Sequence, residues 1–288
     1  MTLTIAAAAA SFGRDLDEAY ATIGRLIAET RTAGGNLLVL PEAALGGYLS
    51  ALGGPDGDAA TPVAGRTLPP ALDLDGPEIS RVIAMAGDLT ITLGLCEQAG
   101  EQRFNTAVAV TGDGLLGVHR KVHQPLGENL SYAAGDGFTA FDTPIGRMGM
   151  MICYDKAFPE AARALALDGA EVIACMSAWP AARTAGATDL AEDRWKKRFD
   201  LFDAARALEN QVVWASANQA GHFGSLRFVA GAKVVGPGGD IRADTGIRAG
   251  LAVATLDLAA ELDTARRAMF HLRDRRPDAY PTPELSHA

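Results

Sequence analysis

Apolar and polar positions along the chain alternate between two rhythms. Leu16, Tyr20, Ile23 and Ile27 recur at helical spacing and predict an amphipathic helix that stops at Gly34-Gly35. Residues 36–40 follow as a short run, apolar after Asn36, the pattern of a strand buried on both faces. The alternation then repeats. A second helix opens at Pro77, where a missing N–H costs nothing, and turns Ile79, Val82, Ile83 and Ala86 inward. Residues 89–95 and 105–110 read as strands, and Gly112-Asp-Gly114 as the turn into a hairpin partner over 115–120.

The second half predicts strands at 138–141 and 148–152, a helix from Pro159 to near Gly169, and a strand at 171–176. A long helix is expected over 189–209. Asp189 and Glu192 have capping-box spacing there, and Trp195, Phe199 and Phe202 recur at helical period. Residues 211–217, 230–235 and 251–256 supply late strands. The sum is an α/β fold with antiparallel hairpins mixed among crossovers. Residues 1–275 read as one domain and 276–288 as a C-terminal tail; the loop over 53–75, rich in Gly, Pro and Asp, is the other irregular part. The apolar opening through Ala10 has no Lys or Arg ahead of it, so it reads as a buried first strand rather than a secretion signal.

Bulk properties narrow the partners. A formal charge of −9 argues against nucleic acid or an anionic membrane. No stretch approaches the ~20 apolar residues of a membrane span. Cys96, Cys153 and Cys175 are too few and too scattered for a disulfide framework, which points to a reducing, cytoplasmic setting.

Three strand ends carry residues with chemistry. In Gly149-Met-Met-Ile-Cys153-Tyr-Asp, an apolar strand ends on a cysteine just ahead of a helix. A nucleophile held on such a turn can face a pocket while nearby backbone N–H groups stay free, and a helix start favours thiolate. A buried structural cysteine would fit the same segment. Glu42 ends the run Leu38-Val-Leu-Pro-Glu42, where partial withdrawal from water suits a general base; an ordinary solvated loop glutamate is the plainer reading. Lys121, in His119-Arg-Lys121-Val-His123, could stabilise an oxyanion or be one more solvated charge. Ligands of open α/β sheets bind outside the carboxyl ends of strands, so the three together mean more than each alone. Rival uses of these segments are a metal site and a Cys–His pair with His123 as base. No Cys-x-x-Cys or His-x-x-x-His pattern supports the metal.

These three blocks, in this order, resemble the signature blocks of the nitrilase superfamily, the carbon–nitrogen hydrolases. The resemblance implies a four-layer α-β-β-α sandwich and a Glu42–Lys121–Cys153 triad that hydrolyses a small amide through a thioester. It calls for no metal or cofactor, and it implies a homodimer or larger homo-oligomer built across the helical face. A second family glutamate, which positions substrate, falls on Glu128 in Gly127-Glu128-Asn-Leu-Ser. The backbone N–H of Tyr154 would complete the oxyanion site. Tyr154-Asp155 resembles the amidase and carbamoylase branches rather than the Trp-Glu of true nitrilases. Carbamoylases carry paired arginines where this chain has Lys156-Ala157, half a match for a carboxylate clamp. Trp179, after a strand in Ser177-Ala-Trp-Pro180, is expected to line the pocket, though a core tryptophan fits as well. Cys96 and Cys175 are read as core. The basic run at 194–198 is read as a solvated helix face, and His222 is left on a loop of undecided role.

Overall fold

Alternate residues of the first strand face two different cores. In a computed structural model, which describes residues 2–53 and 63–279, β1 (Thr2–Ala10) turns Leu3, Ile5, Ala7 and Ala9 into one cluster. Ala6, Ala8 and Ala10 point into another. A side-chain period of two with both faces buried favours apolar residues at successive positions, which is why residues 5–10 look like a continuous apolar run. Residues 54–62 of the expected loop and 280–288 of the expected tail lie outside the described residues.

Twelve strands form one mixed sheet that folds back on itself. Its first half runs β5 (Gly114–Arg120), β4 (Gln102–Thr111), β3 (Thr90–Ala99), β2 (Leu37–Val39), β1 and β14 (Gly250–Asp257). Its second half runs β6 (Phe141–Thr143), β7 (Gly146–Ile152), β8 (Val172–Ser177), β9 (Val213–Gln219), β12 (Lys233–Val235) and β13 (Ile241–Asp244). The two halves join where Ala9 and Ala10 pair with Asn218 and Gln219. Between them lies a core of small and flexible side chains, with Leu37, Val39 and Ala107 on one side and Met148, Met150, Val172 and Met176 on the other.

Helices cover both outer faces. α1 (Leu16–Thr32) and α2 (Pro77–Ala86) bury Tyr20, Ile23, Leu26, Ile79 and Val82 against the first half. α3 (Pro159–Leu167) and α4 (Arg194–Asn210) cover the second, where Ala162, Leu165 and Ala207 meet Met151, Ile173 and Trp214. The expected α-β-β-α sandwich is therefore the arrangement found. Among the described residues no helix is long and apolar enough to cross a membrane.

Several boundaries differ from the sequence expectation. The strand placed at 138–141 is instead β6, Phe141–Thr143, a hairpin partner of β7, and Phe138 stacks on His119 and His123. The helix placed at 189–209 is broken at Asp193. Asp189 caps only a short 3-10 turn, Leu190–Glu192, while extended Asp193 caps α4 by accepting from Trp195 N at 2.8 Å. Two acids four residues apart gave two competing caps, and backbone direction chose the second. A helix after β14, α5 (Leu258–Ala268) capped by Asp257, had no expectation. Nor did the two-stranded ribbon of β10 (His222–Phe223) and β11 (Leu226–Arg227).

The topology fixes where chemistry can gather. β2 is parallel to β1 and β3, and two antiparallel steps make β5 run the same way. β1 is also parallel to β9, and β9 to β8 and β7. The carboxyl ends of β2, β5, β7, β8 and β9 thus all open on one edge of the sandwich.

Candidate active site

Each of the three candidate residues leaves one of these carboxyl ends. Glu42 follows β2 by way of Leu40-Pro41, with Leu40 N bonded to Thr92 O at 2.8 Å and Gly94 N to Pro41 O at 3.2 Å. Room for this turn comes from Gly94 of β3. A β-carbon there would lie 2.4 Å from Ala43 N, 2.7 Å from Glu42 Cα and 2.9 Å from the Glu42 carbonyl carbon, all closer than atoms can stand. Lys121 is the first residue past β5 and is tied by its backbone N to Asn105 O at 2.8 Å. Cys153 is the first residue past β7 and opens a 3-10 turn, Cys153–Ala157, in the left-handed conformation with φ 51°. The helix expected at Pro159 does begin there, but the nucleophile's own turn precedes it.

The side chains converge. Lys121 Nζ lies 2.9 Å from Glu42 Oε1 and 2.7 Å from Glu128 Oε2, and all three residues are fully buried. Glu42 also accepts from Asn105 Nδ2 and from Ala178 N, each at 2.6 Å. Glu128 accepts a short hydrogen bond from the Tyr48 hydroxyl. The Glu42 carbonyl is held by Gln219 Nε2 at 2.9 Å, from the end of β9. Five strand ends or their following loops therefore contribute to one polar cluster.

Its electrostatics are set by dryness. Burial pushes the Cys153 thiol well above its ordinary value and the Glu42 carboxylate adds to the rise, while the Lys121 and Lys156 ammoniums oppose it. Burial alone would pull Lys121 down, but the charges of Glu42 and Cys153 hold it above the usual lysine range. Glu128 is raised well above the carboxylate range, first by burial and then by Glu42 and Asp155, so its protonated form is favoured. The resting arrangement is a thiol beside a carboxylate–ammonium pair.

Cys153 floors a cavity of about 470 Å³. Tyr48, Leu126, Tyr154, Trp179, Trp195 and Phe202 form much of its wall, and Arg198 is the cation among its lining residues. Tyr154 and Trp179 both line the cavity. Trp179 is also core: it packs edge-on against Phe199 and Phe202, and Asn218 Oδ1 holds its backbone N at 2.7 Å. Glu128 is not in the wall but lies behind Lys121.

Other expectations need correction. Lys156 is no carboxylate clamp, because it is fully buried with Nζ 2.8 Å from Asp203 Oδ1. The run at 194–198 is not uniformly solvated: Lys196 is buried against Asp200 at 2.6 Å, and Trp195 and Arg198 line the cavity. His123 points Nδ1 at Asp155 Oδ1, 2.9 Å away, rather than serving Cys153. His119 Nε2 meets the other oxygen at 3.1 Å. Burial alone would raise Asp155, but the bonds from His119 and His123 hold it below the usual carboxylate range. The exposed His222 sits on the β10–β11 ribbon and does not line the cavity. Cys96 and Cys175 are buried as expected, and burial pushes Cys175 up to about 12. Sequence reasoning missed Tyr48, Asn105 and Gln219. Asn105 left a faint signal as a polar residue opening an otherwise apolar strand; Tyr48 and Gln219 left none.

A sequence profile described as carbon-nitrogen hydrolase matches residues 4–266. An (R)-stereoselective amidase from Pseudomonas sp. is 32% identical over 272 residues, covering 92% of this chain and 88% of the relative. A probable nitrilase from Schizosaccharomyces pombe is 30% identical over 252 residues, covering 85% and 84%. A Cys-to-Ala mutant of the Nesterenkonia AN1 amidase, of the nitrilase superfamily, superposes with a TM-score of 0.73 at 25% identity, covering 96% of this chain and 95% of that one. The chain belongs to the carbon-nitrogen hydrolase family, whose members hydrolyse carbon–nitrogen bonds by cysteine chemistry.

The close approach at Gly94 gives a specific test. Gly94→Ala should displace the Glu42 turn and lower amide turnover by at least about a hundredfold, the scale of losing one transition-state group. Far-ultraviolet circular dichroism should stay that of the parent; full turnover in a folded variant would refute the placement.

Proposed function

We propose that the protein hydrolyses a small primary amide to a carboxylate and ammonia, with Cys153 as nucleophile, Glu42 as general base and acid, and Lys121 as oxyanion stabiliser. The observation that carries this reading is the buried Lys121 ammonium, within 2.9 Å of Glu42 and 2.7 Å of Glu128, beside a cysteine that opens into a cavity. Glu42 takes the thiol proton as sulfur attacks the amide carbon. The oxygen becomes an oxyanion held by Lys121 and by the N–H of Tyr154, since the first N–H groups of a helical turn have no partner within it. The C–N bond breaks, Glu42 returns the proton to the leaving nitrogen, and ammonia departs. Water then attacks the thioester, Glu42 accepts its proton, and the acid leaves as the proton returns to sulfur. Glu128 positions Lys121 from behind.

The wall supports an apolar acyl chain, and Arg198 favours a carboxylate at its far end. No hydrogen bond or ion pair engages Arg198 among the described residues, unlike its neighbours Arg194, Lys196 and Lys197. The N-carbamoyl amino-acid alternative loses support with Lys156 committed to Asp203. The three free, buried cysteines suit a cytoplasmic setting. Exposed Leu167, Leu201 and Leu208 on the outer faces of α3 and α4 suit a homo-oligomer joined across those helices.

Cys153→Ala should abolish ammonia release, and Lys121→Ala should lower it by about 10²–10³; a fully active Cys153→Ala variant would end this reading. Arg198→Met should cut the preference for a dicarboxylic acid monoamide over the neutral amide of equal length by about tenfold, the loss of one charged hydrogen bond. An unchanged ratio of kcat/KM values would leave plain aliphatic amides as the substrates. Leu201→Glu should shift sedimentation toward the monomer, and an unshifted oligomer would place the interface elsewhere.

A further inference from the structure

Behind the cavity lies a buried ionic cluster that the chemistry above does not use. Lys156, three residues past Cys153, sends Nζ to Asp203 Oδ1 at 2.8 Å. The same carboxylate accepts from Trp214 Nε1 at 2.9 Å and from Lys233 Nζ at 3.0 Å. Lys233 reaches Asp200 at 2.9 Å, and Lys196 reaches it at 2.6 Å. The Phe199 ring lies beneath two of these ammoniums, with Lys156 Nζ 3.1 Å and Lys233 Nζ 4.3 Å from its centroid. One turn further along α4, buried Arg206 donates Nε to the Lys156 carbonyl at 2.8 Å and Nη2 to the Ala157 carbonyl at 3.2 Å. Three bonds of this assembly end on the 3-10 turn that begins with Cys153.

A cluster of this kind is expensive to bury, and apolar packing would often stabilise a fold as well. Its target explains its presence. Cys153 is a non-glycine residue at φ 51°, a strained conformation that lasts only where surroundings over-determine it. At the near end of the turn, Asp155 accepts from Ile152 N at 3.1 Å and is itself braced by His119 and His123. At the far end, the bracing comes from α4 alone among these bonds. That helix also presents Trp195, Arg198 and Phe202 to the cavity.

We infer that Asp203 and Arg206 are positioning residues for the nucleophile: they grip the Lys156 side chain and the carbonyls of Lys156 and Ala157, and so hold Cys153 in its left-handed conformation beside Glu42 and Lys121. The same grip keeps the Lys156 ammonium buried near the thiol, which it stabilises as thiolate together with Lys121 and against Glu42 and Glu128. An acyl group packed on α4 therefore bears on the element that fixes the attacking sulfur. This inference rests on Cys153 as the nucleophile.

The test compares Arg206→Met, Arg206→Lys and Lys156→Met with the parent for kcat, KM, melting temperature, and the pH profile of Cys153 alkylation by iodoacetamide. Arg206→Met should lower kcat and the alkylation rate together by at least about tenfold with KM within about twofold, and Arg206→Lys should recover part of the loss. Lys156→Met should move the alkylation profile to higher pH and slow alkylation at fixed pH, because one ammonium opposing the thiol's rise is gone. A lowered melting temperature with parental kcat and alkylation would reduce the cluster to a fold stabiliser and overturn the inference. If Arg206→Met does not fold, the decision passes to Arg206→Lys and to Lys156→Met, in which Asp203 keeps Lys233 and Trp214. A parent enzyme not alkylated at Cys153 would instead refute the nucleophile assignment itself.

Discussion

An ammonium group with no water around it governs this molecule. Lys121 is fully buried, and its charge is tolerable only because two carboxyl groups from separate parts of the chain lie within 3 Å. Removing one member of such a pair commonly costs about 3–5 kcal/mol, because the remaining charge is stranded. The demand spreads outward. Glu42 must be delivered by the turn after β2, which needs a glycine in β3 and bonds from Asn105, Ala178 and Gln219. Glu128 must be delivered by the loop after β5 and steadied by Tyr48. The two carboxyl groups do not share the burden equally: burial, then the charges of Glu42 and Asp155, drive Glu128 toward its neutral form.

The thiol enters this cluster as the odd member. Burial and the Glu42 charge both disfavour its ionisation; under the proposed mechanism, attack and proton transfer to Glu42 then belong to one event. Such coupling demands accurate placement more than a lowered resting pKa. The left-handed backbone of Cys153 supplies the placement, with the sulfur over the cavity floor and the following N–H groups left for an oxyanion. Two polar assemblies, one around Asp155 and one on α4, meet that short turn from opposite ends.

The division of labour between faces is equally physical. The core between the two half-sheets is filled by alanine, methionine and valine, side chains that let the sheets lie close. The large aromatic residues gather at the carboxyl edge instead, where Trp179, Trp195 and Phe202 wall the cavity. A chain only 6% aromatic thus spends several of its rings around one hole. One guanidinium, Arg198, stands among these lining residues.

By itself, the sequence determined the strands and helices whose periodicity is strong, such as β1, α1 and β7, because burial on one or both faces must be written in side-chain type. It also offered the three candidate residues, since each stands just past the carboxyl end of a strand, and their order along the chain marked the family. Local signals failed where two answers were locally equal: Asp189 and Asp193 could each cap a helix, and only the backbone path, with Asp193 also accepting from Ala182 N, selected the second. Tertiary structure alone decided what lies far apart in sequence. Tyr48 meets Glu128 across 80 positions, and Gln219 meets the Glu42 backbone across 177. It also decided that Lys156 is buried against Asp203 and that the exposed Arg198 borders the cavity. A long-range contact has no period to reveal it; it exists only once parallel strand ends have been brought to a common edge.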